Sequence, residues 1–158
     1  MAAILVGMAD LKVARGPDVL TTLGLGSCVG VALYDIQRQI SGLAHIMLPW
    51  SGDIQGSRMK FADTGIADLV KQMAMMGAGK AGLVAKIAGG AHMFGAISGN
   101  SILNVGERNI DACVKILAGM GIPIMARDVG GRHGRTIEVH ITNGSLKIKT
   151  IGYGESVI

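Results

Sequence analysis

Apolar positions recur along the chain with two distinct periods. Residues 4–14 are mostly apolar, with charges at Asp10 and Lys12, and the alternation at Leu11 and Val13 favours a strand ended by a Gly16-Pro17 turn. Residues 19–25, with Thr21 and Thr22, read as a second strand. Val29, Val31 and Leu33 alternate with Gly30, Ala32 and Tyr34, a spacing that suits a third. A fourth spans 40–48 and stops at Pro49, which has no N–H to give to a strand ladder. Residues 50–58 are rich in Ser, Gly and Asp and read as a loop or lid just beyond His45.

The period then lengthens. Ile66, Leu69, Val70 and Met73 follow helical spacing, with Asp63 placed to cap the first turn, Gly77 to end the helix, and Met75 and Met76 extending its apolar face. Residues 83–88 resemble a buried strand turned by Gly89-Gly90. A second helix follows: Asn104 and Glu107 have capping-box spacing, Ile110, Cys113, Val114 and Leu117 share one face, and Gly119 and Gly121 close it. Three strands complete the chain, at 122–128, 136–142 and 146–151, the last two joined by an Asn143-Gly144 hairpin turn. Two helices among about seven strands, without repeat or linker, predict one layered α/β or α+β domain over residues 1–158.

Composition narrows the function classes. With 25 Gly, 10 Met and only five aromatic residues (Tyr34, Trp50, Phe61, Phe94, Tyr153), the core must come from aliphatic side chains and Met. Fifteen Lys and Arg against 11 Asp and Glu give a net charge of +4, but the cations are dispersed, which argues against nucleic-acid binding. The start has no basic region ahead of its apolar residues, so no signal peptide is read. Residues 87–106 are uncharged but too polar to insert in a membrane. The expectation is a cytoplasmic protein. Two cysteines make no disulfide framework, and the four histidines lack metal-ligand spacing, so no metal or organic cofactor is expected.

The chemistry concentrates at Gly24-Leu25-Gly26-Ser27-Cys28. A glycine turn followed by an apolar anchor, 29–33, suits an exposed and rigidly held nucleophile. Backbone N–H groups around Gly26, Ser27 and Cys28 would lower the thiol pKa and receive charge developing on a carbonyl oxygen. His45, inside an apolar run, would take the thiol proton if brought near Cys28. Thr21 or Thr22 would orient the ring, and strand alternation admits only one of them. Ser27 shapes the turn, since no Gly-x-Ser-x-Gly elbow surrounds it. Gly24-Leu25-Gly26 lacks the third glycine of a dinucleotide fingerprint. His92, Phe94, Arg108 and Asn109 are candidates for substrate or partner contact, with Arg108-Asn109 alternatively bracing a loop.

Several blocks together carry a family resemblance. Thr22-Leu23-Gly24-Leu25-Gly26-Ser27-Cys28-Val29 and Ala44-His45-Ile46-Met47-Leu48-Pro49 resemble the chemoreceptor glutamine deamidase family, CheD. Lys60-Phe61-Ala62-Asp63-Thr64, Lys86-Ile87-Ala88-Gly89-Gly90-Ala91, Met93-Phe94, Gly106-Glu107-Arg108-Asn109 and Asp128-Val129-Gly130-Gly131 extend the likeness over residues 5–152. His92 and the loop around His133 depart from the family pattern and leave the presumed catalytic residues untouched.

The resemblance implies Cys28 as nucleophile, His45 as general base and Thr22 as the residue orienting it, which would settle the choice between the threonines. It implies a layered α/β sandwich related to bacterial toxin deamidases. The implied reaction converts glutamine side chains of chemoreceptor cytoplasmic helices to glutamate and ammonia, with glutamate methylesterase activity as a side reaction. The CheC phosphatase is the implied protein partner. Two other classes compete: a non-enzymatic regulator that binds and stimulates CheC, and a thiol protease using the same residues.

Overall fold

The structure is a computed structural model of the chain and describes residues 1–53, 56–93 and 104–158. Its elements are β1 (Ala3–Leu5), β2 (Leu11–Arg15), β3 (Val19–Leu25), β4 (Val29–Asp35), β5 (Ile40–Ile46), α1 (Ala62–Met76), β6 (Val84–Gly89), α2 (Val105–Gly119), β7 (Ile124–Val129), β8 (Arg135–His140), β9 (Ser145–Thr150) and β10 (Gly154–Val157). Short 3-10 turns occupy Arg58–Lys60 and Lys80–Gly82.

The strands form two five-stranded mixed sheets. A central sheet has the order β2-β5-β4-β6-β7 and an outer sheet the order β1-β3-β8-β9-β10. Among the described strands only β1–β3 and β6–β7 pair in parallel. Both helices cover one face of the central sheet, where Val29, Val31, Leu33, Ile66, Leu69, Met73, Ile87, Cys113 and Leu117 form one core. Leu20, Leu25, Ala32, Tyr34, Leu43, Ile137, Val139 and Ile148 form a second core between the sheets. The result is a three-layer α+β sandwich. It explains why β4 is buried at every position: alternate side chains enter different cores, with Val29, Val31 and Leu33 under the helices and Ala32 and Tyr34 toward the outer sheet.

Strands β3 through β6 and both helices fall where the hydrophobic pattern puts them. The second helix begins at Asn104, whose side chain accepts from the Glu107 amide and whose Nδ2 donates to the Glu107 carboxylate. Gly77 ends α1 in the left-handed conformation. The Asn143-Gly144 turn joins β8 to β9 as expected.

Four expectations need correction. Residues 4–14 are not one strand but two, in different sheets. The Asp10 carboxylate accepts from the amides of Gly7 and Leu11, turning the chain between them. Asp63 does not cap α1; its carboxylate accepts from the amide and hydroxyl of Ser51 and from the Thr64 amide. Met75 is largely exposed, so only Met73 of that methionine group fills the core and Met76 packs at its edge. Strand β10 is an addition to the predicted set. It is exposed along its length and held by pairing with β9, so no burial pattern marks it.

The α1–sheet contact depends on Gly42 in β5. A Cβ there would stand 2.5 Å from Leu69 Cδ1 and 3.2 Å from Met73 Sδ. Gly42→Ala should therefore lower stability by about 1–3 kcal/mol, the usual cost of overpacking. Gly7→Ala, with nothing within 4 Å, should leave it nearly unchanged. Denaturant unfolding of both variants checks this.

Candidate active site

The β4–β5 register sets Gly30 opposite His45. Cys28 precedes Gly30 by two residues, so Cys28 and His45 belong to the same face of the central sheet, the face turned toward the outer sheet. From the outer sheet Thr22 reaches across, its Oγ1 lying 2.7 Å from His45 Nδ1. The site is thus built in the seam between the two sheets. Thr22 and His45 are fully buried, and Cys28 keeps 9% of its surface exposed.

A bulge places Thr22. Thr22 pairs with Ile137 and Leu25 with Arg135, so Leu23 and Gly24 together oppose the single residue Thr136. Gly24 adopts φ 67°, which suits glycine. The extra residue lets both Thr22 and Leu25 point inward, which strict alternation over three residues would forbid. Thr21 instead donates to the Ile137 carbonyl and takes no part in the site.

The hydrogen-bond chain fixes the imidazole's proton. The Thr22 hydroxyl donates to the Val6 carbonyl at 2.7 Å, and a carbonyl only accepts. Having spent its one proton, Thr22 Oγ1 accepts from His45, which places the ring proton on Nδ1 and the lone pair on Nε2. Nε2 is buried and has no hydrogen-bond partner among the described residues, Cys28 included. The His45 amide is itself held by the Asp10 carbonyl at 3.0 Å.

The Gly26–Cys28 turn is pinned by its carbonyls. Gly26 O accepts from the Ala91 amide at 2.8 Å, Ser27 O from Asn109 Nδ2 at 3.0 Å, and Cys28 O from the Gly90 amide at 2.8 Å. The Gly26 amide donates to Gly24 O. The amides of Ser27 and Cys28 donate to no backbone carbonyl among the described residues. Gly89, at φ 108°, passes so close that a Cβ would come within 2.3 Å of the Cys28 oxygen.

Electrostatics favour a neutral resting pair. Burial pushes the Cys28 thiol above its ordinary value, while its own backbone amide pulls the other way. Burial holds the His45 imidazole below its ordinary value, so it is unprotonated at neutral pH. Cys113, the other thiol, is fully buried on the inner face of α2 and pushed up to about 12. It is core, as expected. Among the described residues no group of three His, Cys, Asp or Glu side chains is placed to hold a metal ion.

The remaining sequence candidates separate. His92 borders the nucleophile turn: its amide donates to Gly131 O, its loop supplies the Gly90 and Ala91 donors, and Met93 covers Gly26. Phe94 lies outside the described residues. Arg108 is exposed and lines a surface groove with Asn104, Glu107 and Arg127, apart from the buried cluster. Asn109 cannot contact a substrate or partner as expected, because it is fully buried; its Nδ2 holds Ser27 O and Met47 O, each at 3.0 Å. Sequence reading missed the backbone carbonyls of Val6 and Asp10. Gly7 and Asp10 inside an apolar run were the available signal for the turn that supplies them.

The family model and the curated relatives name the same family. A family model described as "CheD chemotactic sensory transduction" matches residues 47–150. The chain is 50% identical over 97% of its length to "Probable chemoreceptor glutamine deamidase CheD" of Caldanaerobacter subterraneus subsp. tengcongensis, covering 96% of that protein. It is 51% identical over 94% to the protein of the same description in Lachnoclostridium phytofermentans, with 94% of that protein covered. It is 46% identical over 97% to "Chemoreceptor glutamine deamidase CheD" of Halalkalibacterium halodurans, 96% of which is covered. The crystal structure of Bacillus licheniformis hypothetical protein YfiH superposes with a TM-score of 0.49 at 17% identity, covering 78% of this chain and 51% of that one, too partial to bear on function. Thr22, Cys28 and His45 precede the segment matched by the family model, but the near-full-length relatives span them. The chain belongs to the CheD family.

Proposed function

We propose that this protein is a chemoreceptor glutamine deamidase that uses Cys28 as nucleophile and His45 as general acid and base. The observation carrying this is the Val6–Thr22–His45 hydrogen-bond chain, which leaves Nε2 as a free base on the sheet face that Cys28 shares. The names of the relatives supply the substrate class.

In the proposed reaction His45 Nε2 takes the Cys28 proton as sulfur attacks the carboxamide carbon, forming a C–S bond and an oxyanion. The amides of Ser27 and Cys28 are the donors for that oxyanion, since the Gly26 amide is already engaged. The imidazolium then gives its proton to the departing nitrogen, the C–N bond breaks, and ammonia leaves a thioester. Water, deprotonated by His45, attacks the thioester; the C–S bond breaks, glutamate forms, and Cys28 regains its proton. The same steps with an alkoxide leaving group would hydrolyse a glutamate methyl ester. Action on receptor helices in the cytoplasm and binding to the CheC phosphatase belong to the proposal through the family. No helix among the described residues is long and apolar enough to cross a membrane.

Incubation with receptor cytoplasmic fragments should raise substrate mass by about 1 Da per converted glutamine, NH2 becoming OH, without backbone cleavage. Cys28→Ala should abolish conversion. Unchanged conversion would reject the nucleophile, backbone cleavage would indicate a protease, and an effect on CheC surviving Cys28→Ala without any mass change would favour the regulatory reading.

Thr22→Val removes the hydroxyl that accepts from Nδ1 and should lower kcat by about 10- to 100-fold, whereas Thr22→Ser should retain most of it. Steady-state kinetics on the same fragments compare the two.

A neutral thiol–imidazole pair loses activity when His45 gains a proton and when Cys28 loses one before attack. Burial depresses the first pKa and raises the second. The acid limb of kcat/KM should therefore lie at lower pH, and the alkaline limb at higher pH, than an unperturbed imidazole and thiol would place them, giving a wider plateau. Limbs displaced inward would contradict the assignment.

A further inference from the structure

Asn109 is the one polar side chain of α2 that is fully buried against the site. It bridges two carbonyls. Ser27 O belongs to the residue before the nucleophile, and Met47 O to the residue two beyond the histidine. The last ladder pair of β4 and β5 is Val29 with Ile46, so beyond it the two segments lose their mutual backbone pairing. The Asn109 amide supplies the tie that the ladder no longer provides.

We infer that Asn109 is a positioning residue that aims the Cys28 backbone amide as an oxyanion donor and fixes the nucleophile turn against the end of β5. Peptide planarity makes the connection. Ser27 C=O and Cys28 N–H belong to one rigid plane and point in opposite directions. Helix α2 packs on the helical face of the central sheet, whereas Cys28 and His45 occupy the opposite face. Holding the Ser27 oxygen toward α2 therefore turns the Cys28 N–H toward the site. The Ala91 amide does the same for the preceding plane, holding Gly26 O and thereby orienting the Ser27 N–H. Together the two anchors present successive amides, the arrangement an oxyanion requires.

Asn109 Oδ1 is buried without a hydrogen-bond partner among the described residues. An orphaned buried acceptor is costly, so an apolar side chain would be the better plug at this position. What the position uses is the pair of N–H donors.

This inference rests on Cys28 and His45 being nucleophile and base, and its test separates the two claims. In a Cys113→Ala background Cys28 is the sole thiol. Asn109→Leu, Asn109→Ala and, as a destabilising control on the same helix, Leu117→Ala are compared by melting temperature, by deamidation kinetics on a receptor cytoplasmic fragment, and by the pH midpoint of Cys28 alkylation with iodoacetamide. The two Asn109 variants differ in how well they fill the site, so the readouts survive if one fails to fold. Both should lose about 10- to 100-fold in kcat with KM little changed, as expected when an interaction made only in the transition state is removed. Their alkylation midpoint should move to higher pH, because the Cys28 amide no longer faces the thiolate. Leu117→Ala should melt lower yet keep the parent's kcat and midpoint. Asn109 variants that are less stable but share the parent's kcat and midpoint would overturn the inference. If the parent itself converts no glutamine, the deamidase reading fails, and the alkylation midpoints still decide whether Asn109 aims the amide.

Discussion

The site depends on one constraint: a hydroxyl from the outer sheet must meet an imidazole from the central sheet. Thr22 satisfies it by standing between the Val6 carbonyl and His45 Nδ1. Because the Val6 oxygen only accepts, the direction of the chain is set, and the basic lone pair is left on Nε2. Much of the surrounding architecture serves this contact. β1 runs parallel to β3 and carries the chain to Val6, whose amide holds Thr21 O. The β3 bulge turns Thr22 inward, and the loop back to β2 delivers the Asp10 carbonyl to the His45 amide. The packed cores on both faces of the central sheet hold the two partners in register.

Burial shapes the chemistry as strongly as the hydrogen bonds do. An imidazole with an unsatisfied buried nitrogen costs on the order of 1–3 kcal/mol in stability. That cost is tolerated where a base must remain unprotonated and free. The same burial works against the thiolate, opposed only by the Cys28 amide. In the proposed reaction the sulfur becomes a strong nucleophile as His45 removes its proton, rather than resting as an ion pair. On that proposal stabilisation of the developing oxyanion falls to backbone donors; three consecutive carbonyls, Gly26, Ser27 and Cys28, are tied down around them.

Much of this was legible in the sequence, for identifiable reasons. β4 announces itself by alternation, β5 by a largely apolar run stopped at Pro49, and α2 by its cap and apolar face, because these elements bury their own side chains. Cys28 and His45 stand out as a thiol and an imidazole in apolar runs. The choice of Thr22 over Thr21 came from family resemblance, since period-2 alternation says that the two diverge but not which faces inward. The bulge and the break at 6–10 depend on backbone hydrogen bonds to distant strands, which local pattern does not encode. Asn109 read as either a loop brace or a substrate contact; only the packing of α2 shows that it is the brace, facing the Gly26–Cys28 turn. β10 left no mark in the pattern because it buries nothing.

The tautomer of His45 joins fold to chemistry, and nitrogen chemical shifts report it directly. Long-range proton–nitrogen NMR on ring-labelled protein at neutral pH should show Nδ1 bearing the proton and Nε2 with the shift of an unprotonated, pyridine-like nitrogen. A proton on Nε2 instead, or an imidazolium protonated at both nitrogens, would contradict the account.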